Sequence, residues 1–270
     1  QHEHSQNQVK HDQHVGHDMH GSTDSSTSDD GQPVWRMPPM DTSMPMLPGL
    51  EKATPIIAPF LPGVGVDPQS FPEAVPGEII EMEDGESLNL EATLVRRTIN
   101  GKSFVMYGYN GQYPGPLIKA EKGSTVIVHF KNDIEMPTTV HWHGLRLDNR
   151  FDGVPNVTQS PVAPGETFTY ELFFRDTGIY WYHPHMREDI QQDLGLYGNM
   201  LVAPLRTDYY APVNREEIMI LDDILMDNAG LIPWGETAPT HALMGRFGNV
   251  MLINGTTDYR LSVDRGEIVR

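Results

Sequence analysis

Two short runs hold the residues best suited to chemistry. TTVHWHGLRLDNRFDGVPN, residues 138–156, sets His141 and His143 on either side of Trp142, and GIYWYHPHMRED, residues 178–189, sets His183 and His185 around Pro184. Side chains two apart on an extended chain share a face. His141 and His143 are therefore predicted to point together, with Trp142 opposite. His183 and His185 share a face too if their run stays extended, which Pro184 encourages. Two antiparallel strands could then aim these imidazoles at one point. Such a donor set suits late first-row metals, and Cu(II) is favoured among them in the Irving–Williams order. His129 and His241 read instead as ordinary hydrogen-bonded residues.

The elements that must position these side chains read as strands. In TVIVHF, Val126, Val128 and Phe130 fall on one face and Ile127, His129 and Lys131 on the other. TFTYELFF alternates in the same way through Phe168, Tyr170, Leu172 and Phe174. YNGQYPGP, EKGS, NRFDGVPN and APGE supply turn signals between such runs. GLYGNMLVAP and EEIMILDDIL read as further strands, the latter leading into a linker through PWGETAPTH. This spacing predicts an all-β protein, an antiparallel sandwich or barrel of Greek-key type.

Composition narrows the function classes. The chain has 270 residues, enough for one large or two small domains, and a formal charge of −18, which argues against nucleic acid or an anionic membrane as partner. No apolar run reaches the length of a membrane span. The chain contains no cysteine, which removes disulfides, thiolate catalysis and thiolate metal ligands. It opens on Gln1 without a signal-like segment, the expected state of a processed, exported chain (periplasmic, cell-surface or secreted).

Residues 1–75 are expected to form a largely disordered His/Met-rich tail and linker. Six of the twelve histidines, His2, His4, His11, His14, His17 and His20, lie in a polar stretch with no apolar periodicity. Met37, Met40, Met44 and Met46 follow among prolines that forbid a helix. Two readings stand: a solvated tail, or a copper-gathering one, imidazole suiting Cu(II) and thioether Cu(I).

HWHG followed by DGVPN, then YWYHPH and LGLYGNMLV, resembles the first cupredoxin domain of the multicopper oxidases, the laccase-like family. The resemblance is specific over residues 78–205 and weaker beyond. It implies a cupredoxin-like β-sandwich over residues 76–210, a strand and linker over 211–245, and the opening strands of a second cupredoxin domain over 246–270. It also implies a trinuclear copper cluster of type 2 and type 3 ions. By matching motif positions, His141 resembles the type 2 ligand. His143 and His183 resemble ligands of one type 3 ion, and His185 of the other. Asp152 matches an acid that the family keeps near the type 2 copper, where a carboxylate can relay the protons that O2 reduction consumes; in FDGVP it also reads as a turn aspartate. The family's other two His-x-His pairs and its Cys-centred type 1 copper belong to its last domain and are absent from these residues.

A weak internal repeat fits this reading. NGQYPGPLIKAEKGSTVIV from residue 110 is echoed by NGTTDYRLSVDRGEIVR from residue 254, with Lys122-Gly123 and Val126 opposite Arg265-Gly266 and Val269. The expectation is the N-terminal part of an oxidase coupling one-electron oxidation of a small reducing substrate to reduction of O2 to water. Remaining domains or another chain would supply the other cluster ligands. Two rivals stand beside it. One is a copper-binding or copper-resistance protein without turnover, which the tail also suits. The other is a zinc hydrolase or hydratase using three imidazoles and an activated water, which a fourth histidine at a single tetrahedral ion disfavours.

Overall fold

The computed structural model of the protein describes residues 59–235 and 245–270. The tail's histidines and methionines named above, and His241, lie outside them. In chain order the strands are β1 (Ile79–Met82), β2 (Ser87–Ile99), β3 (Lys102–Tyr109), β4 (Leu117–Glu121), β5 (Thr125–Asn132), β6 (His141–His143), β7 (Thr167–Phe173), β8 (Gly178–His183), β9 (Gly198–Ala203), β10 (Leu221–Ile224) and β11 (Val250–Ile253). One short helix, α1 (Glu188–Gln191), follows β8.

Strand alternation decides what faces inward. β5 buries Val126, Val128 and Phe130 completely and leaves His129 and Lys131 exposed. Its neighbour β7 buries Tyr170 and Leu172. β2 and β3 form a hairpin across Asn100 and Gly101, both at positive φ, as a two-residue turn matched to strand twist requires. The order β3-β2-β5-β7 makes one sheet, and β1-β4-β9-β8-β6 makes the other.

The two sheets close on an aromatic core, as expected for a cupredoxin-like β-sandwich. Trp142 from the five-stranded sheet meets Tyr170 from the four-stranded sheet edge-to-face at 5.4 Å. Tyr109 and Tyr182 meet across the same space at 5.3 Å. Two of the hydroxyls are bonded: Tyr182 donates to the Pro116 carbonyl at 2.7 Å, and Tyr170 accepts the Val140 amide at 2.9 Å.

The expectation of purely antiparallel sheets is corrected. β1 with β4, β4 with β9, and β2 with β5 all run parallel. Neighbours that are distant in sequence are reached by crossovers between sheets, and alternation carries no information on strand direction.

Contacts with the sandwich begin ahead of residue 76. Phe60 bridges Trp234, Glu73 bridges Arg96, and Val75 bridges Gln112. Further on, EEIMILDDIL forms a strand only at β10, paired antiparallel with β11. The later repeat copy contributes one parallel bridge, Val269 to Arg215. Side chains dock this region on the sandwich. Tyr113 and Tyr197 both donate to Asp222 Oδ2, at 2.9 and 2.5 Å, and Arg97 lies over the Tyr113 ring at 3.5 Å while bonding the Gly255 carbonyl. Burial raises the Asp222 carboxyl above its ordinary range, against the pull of these hydroxyls.

Candidate metal centre

The first histidine pair occupies β6, a three-residue edge strand. Trp142 is fully buried, so the strand's pleat must send His141 and His143 to the opposite face. β8 repeats the device: Tyr182 is fully buried, and Trp181 and His183 share the outward side with the β6 pair. Pairing is antiparallel with His141 opposite His183 and His143 opposite Trp181. Register alone therefore brings the two motifs together.

His185 arrives by a different route. β8 ends at His183, so the extended run through Pro184 does not continue as strand. The turn beyond still swings the His185 ring to 4.6 Å from His141 and 5.1 Å from His183, centroid to centroid. His141, His183 and His185 each offer a ligand nitrogen within 4.8 Å of the others. His143 stands outside that group of three but against it, its Nδ1 lying 3.2 Å from His183 Nε2.

Hydrogen bonds settle which nitrogens are free. His141 Nδ1 lies 2.6 Å from the Asp152 carbonyl, His183 Nδ1 2.8 Å from the Pro184 carbonyl, and His185 Nδ1 2.5 Å from the Glu188 carboxylate. Carbonyls and ionised carboxylates only accept, so each Nδ1 carries a hydrogen and each Nε2 keeps its lone pair. In the metal-free protein His183 Nε2 then accepts from His143 Nδ1. Burial lowers the His141 imidazole below its ordinary value, against the pull of Asp152, and lowers His183 to about 4, with the neighbouring rings acting in the same direction. Both are neutral near pH 7, the protonation state a metal requires.

Asp152 contributes in a way the sequence did not suggest. Its main-chain carbonyl makes the close contact with His141, while the carboxylate Oδ1 stands 3.6 Å from His141 Nδ1. The sequence reading also missed Trp181, stacked on His183 at 3.9 Å and 23°, and Glu188 behind His185. It missed Gln191 as well. Fully buried, Gln191 accepts from Thr138 Oγ1 at 2.7 Å and donates to the Pro137 carbonyl at 2.9 Å, tying α1 to the approach of β6. Glu188 carried no signal in the sequence, because a bend through Arg187 at φ +44°, rather than a helical turn, brings it back on His185.

A family model described as multicopper oxidase matches residues 91–207, which span β6, β8 and every residue of this cluster. Residues 91–207 are a multicopper oxidase domain. Among its relatives is Laccase-1 of Cryptococcus neoformans var. grubii, 31% identical over 176 residues, covering 62% of this chain and 27% of the laccase. Copper resistance protein A of Pseudomonas syringae pv. tomato is 30% identical over 124 residues, covering 46% of this chain and 20% of that protein. A crystal structure of the multi-copper oxidase from Pseudomonas thermotolerans aligns with a TM-score of 0.55 at 30% identity, covering 63% of this chain and 42% of that one. The chain thus spans less than a third of the length of these curated relatives. No helix among the described residues is long and apolar enough to cross a membrane.

Proposed function

We propose that this chain is the N-terminal part of a laccase-like multicopper oxidase and that its four paired histidines are copper ligands. The observation that carries the reading is the convergence of His141, His183 and His185, each with a ligand nitrogen within 4.8 Å of the others, with His143 against His183. His141 would hold the type 2 ion. His143 and His183 would share one type 3 ion, a pairing supported by their 3.2 Å approach, and His185 would serve the other. Copper bound there would supply the redox capacity for reducing O2 to water with electrons from a small reducing substrate. The type 1 copper and remaining cluster ligands would come from further domains or another chain, the stretch from residue 246 being the opening of a second cupredoxin domain. Export to the periplasm, cell surface or medium belongs to the same reading.

The chain's own residues divide the rest of the work. Main-chain carbonyls of Asp152 and Pro184 orient two imidazoles. The Asp152 carboxylate, about one-third exposed and beside His141, is placed to hold and pass protons between solvent and the cluster. A second reading, copper binding without turnover, is favoured by the likeness to a protein named for copper resistance.

The test is metal analysis of the full chain reconstituted with copper and zinc together. Copper above the amount held by a His141→Ala/His183→Ala double variant, which keeps the tail but has lost two of the cluster's imidazoles, is the expected result. One equivalent of zinc with no such copper would overturn the proposal. The copper-loaded chain is also expected to lack the intense red-end band of a thiolate-bound copper, since it contains no cysteine. Oxidase turnover by the whole natural protein separates the two copper readings.

A further inference from the structure

His185 is the cluster residue least fixed by the sheet. It lies past the end of β8, where its main chain has left the ladder that holds His183 opposite His141. A side chain in that position has two ring nitrogens to offer, and the sheet does not choose between them. What stands behind it is Glu188, at the start of α1 and three residues on, with Oε1 at 2.5 Å from Nδ1. The His141 and His183 rings hydrogen-bond neutral main-chain carbonyls, with the Asp152 carboxylate farther off at 3.6 Å from His141; of the four, His185 has a carboxylate at hydrogen-bond distance. Glu188 is not drawn away by its basic neighbour, because the Arg187 guanidinium is bidentate to Asp189 at 2.9 and 2.8 Å. Nor is α1 free to move, since Gln191 bonds Thr138 and Pro137, just ahead of the first histidine pair. The carboxylate is therefore referenced to the segment that leads into the strand carrying His141.

We propose that Glu188 is a positioning residue of the metal centre: it selects the Nδ1–H form of His185 and holds the ring so that Nε2 is presented to copper beside His141 and His183. This rests on the copper reading above. A carboxylate behind an imidazole fixes ring orientation and makes the opposite nitrogen a stronger donor, and removing such a partner costs about ten- to hundredfold in metal affinity. Glutamine at the same place still offers an oxygen acceptor without the charge, so it separates orientation from charge.

Two measurements on the full chain test this. In metal-free, 15N-labelled protein held mildly alkaline, ring nitrogen shifts distinguish protonated from bare nitrogens, with His185 assigned by loss of its signals in His185→Asn. His185 is expected with Nδ1 protonated in the wild type and in Glu188→Gln, and as a mixture of both forms in Glu188→Ala. In copper-loaded protein competed with a chelator, Glu188→Ala is expected to bind about ten- to hundredfold more weakly at the cluster, with Glu188→Gln recovering most of the loss. The double variant His141→Ala/His183→Ala again subtracts the tail. Unchanged tautomer and affinity in Glu188→Ala, with the wild-type circular dichroism spectrum retained, would overturn the proposal. Wild-type protein holding no more copper than the double variant would overturn the copper reading itself, and the proposed role with it, whatever the tautomer does.

Discussion

Replacing His183 by alanine is expected to strip the histidine cluster of copper, leaving only what the tail retains. His183 is the hub of the group. It lies directly opposite His141 across the β6–β8 ladder, its ring sits 5.1 Å from His185, and its Nε2 faces His143 Nδ1 at 3.2 Å. It is also nearly fully buried and held neutral by that burial, so no proton competes for its lone pair near pH 7. Affinity should fall by more than about a hundredfold, beyond what the loss of an outer partner costs. The metal-free fold should survive. Two neutral hydrogen bonds, to Pro184 and from His143, are lost with the stacking on Trp181; at about 1 kcal/mol for each bond, the melting temperature should drop by about 4–8 °C. His143→Ala makes the informative comparison. It stands outside the three converging nitrogens, so its removal is expected to weaken copper binding less than loss of His183. Equal copper content in wild type and His183→Ala, measured by chelator competition and mass spectrometry of the metal, would defeat the ligand assignment.

That ordering of the four histidines could not be read from the motifs, and the reason is physical. Period-two alternation told correctly which residues of β5 and β7 face inward, and it told that Trp142 lies opposite its flanking histidines, because those facts depend only on local pleat. The pairing of His141 with His183 depends on register between strands forty residues apart, which alternation does not encode. The end of β8 at His183 was likewise hidden: Pro184 favours an extended chain in isolation, but the ladder stops there and Glu188 begins a helical turn. Asp152 was singled out for its carboxylate, yet the atom closest to His141 is a main-chain oxygen that any residue type could have supplied. The apolar run EEIMILDDIL contains a short strand, because strand extent depends on which partner lies alongside, and among the described residues β11 pairs with Leu221–Ile224. Side-chain identity thus announced the imidazoles that cluster, whereas the groups that aim them are mostly backbone and long-range.

The second large effect follows from that dependence on backbone: Gly153→Ala is expected to destabilise the fold and loosen the metal centre together. Gly153 has φ +76°, and a Cβ there would stand 1.9 Å from the Val140 carbonyl oxygen and 2.8 Å from the His141 amide nitrogen. No rotamer relieves such a contact, since both partners are main chain. The left-handed backbone alone costs an alanine about 1 kcal/mol, and forcing the turn away from β6 about 1–3 kcal/mol more. For a domain of this size that lowers the melting temperature by on the order of 5–15 °C. The displaced segment is also the one whose Asp152 carbonyl fixes His141 Nδ1 at 2.6 Å, so copper affinity should fall even though no ligand has been changed. Gly165→Ala supplies the control. It has φ +82° with no atom within 4 Å of its would-be Cβ, so it carries the conformational cost without the collision. The two variants should therefore separate in thermal melts followed by circular dichroism, and only Gly153→Ala should alter copper retention. Matching melting temperatures and matching copper content for the pair would show that the close approach of residue 153 to β6 does not hold His141 in place.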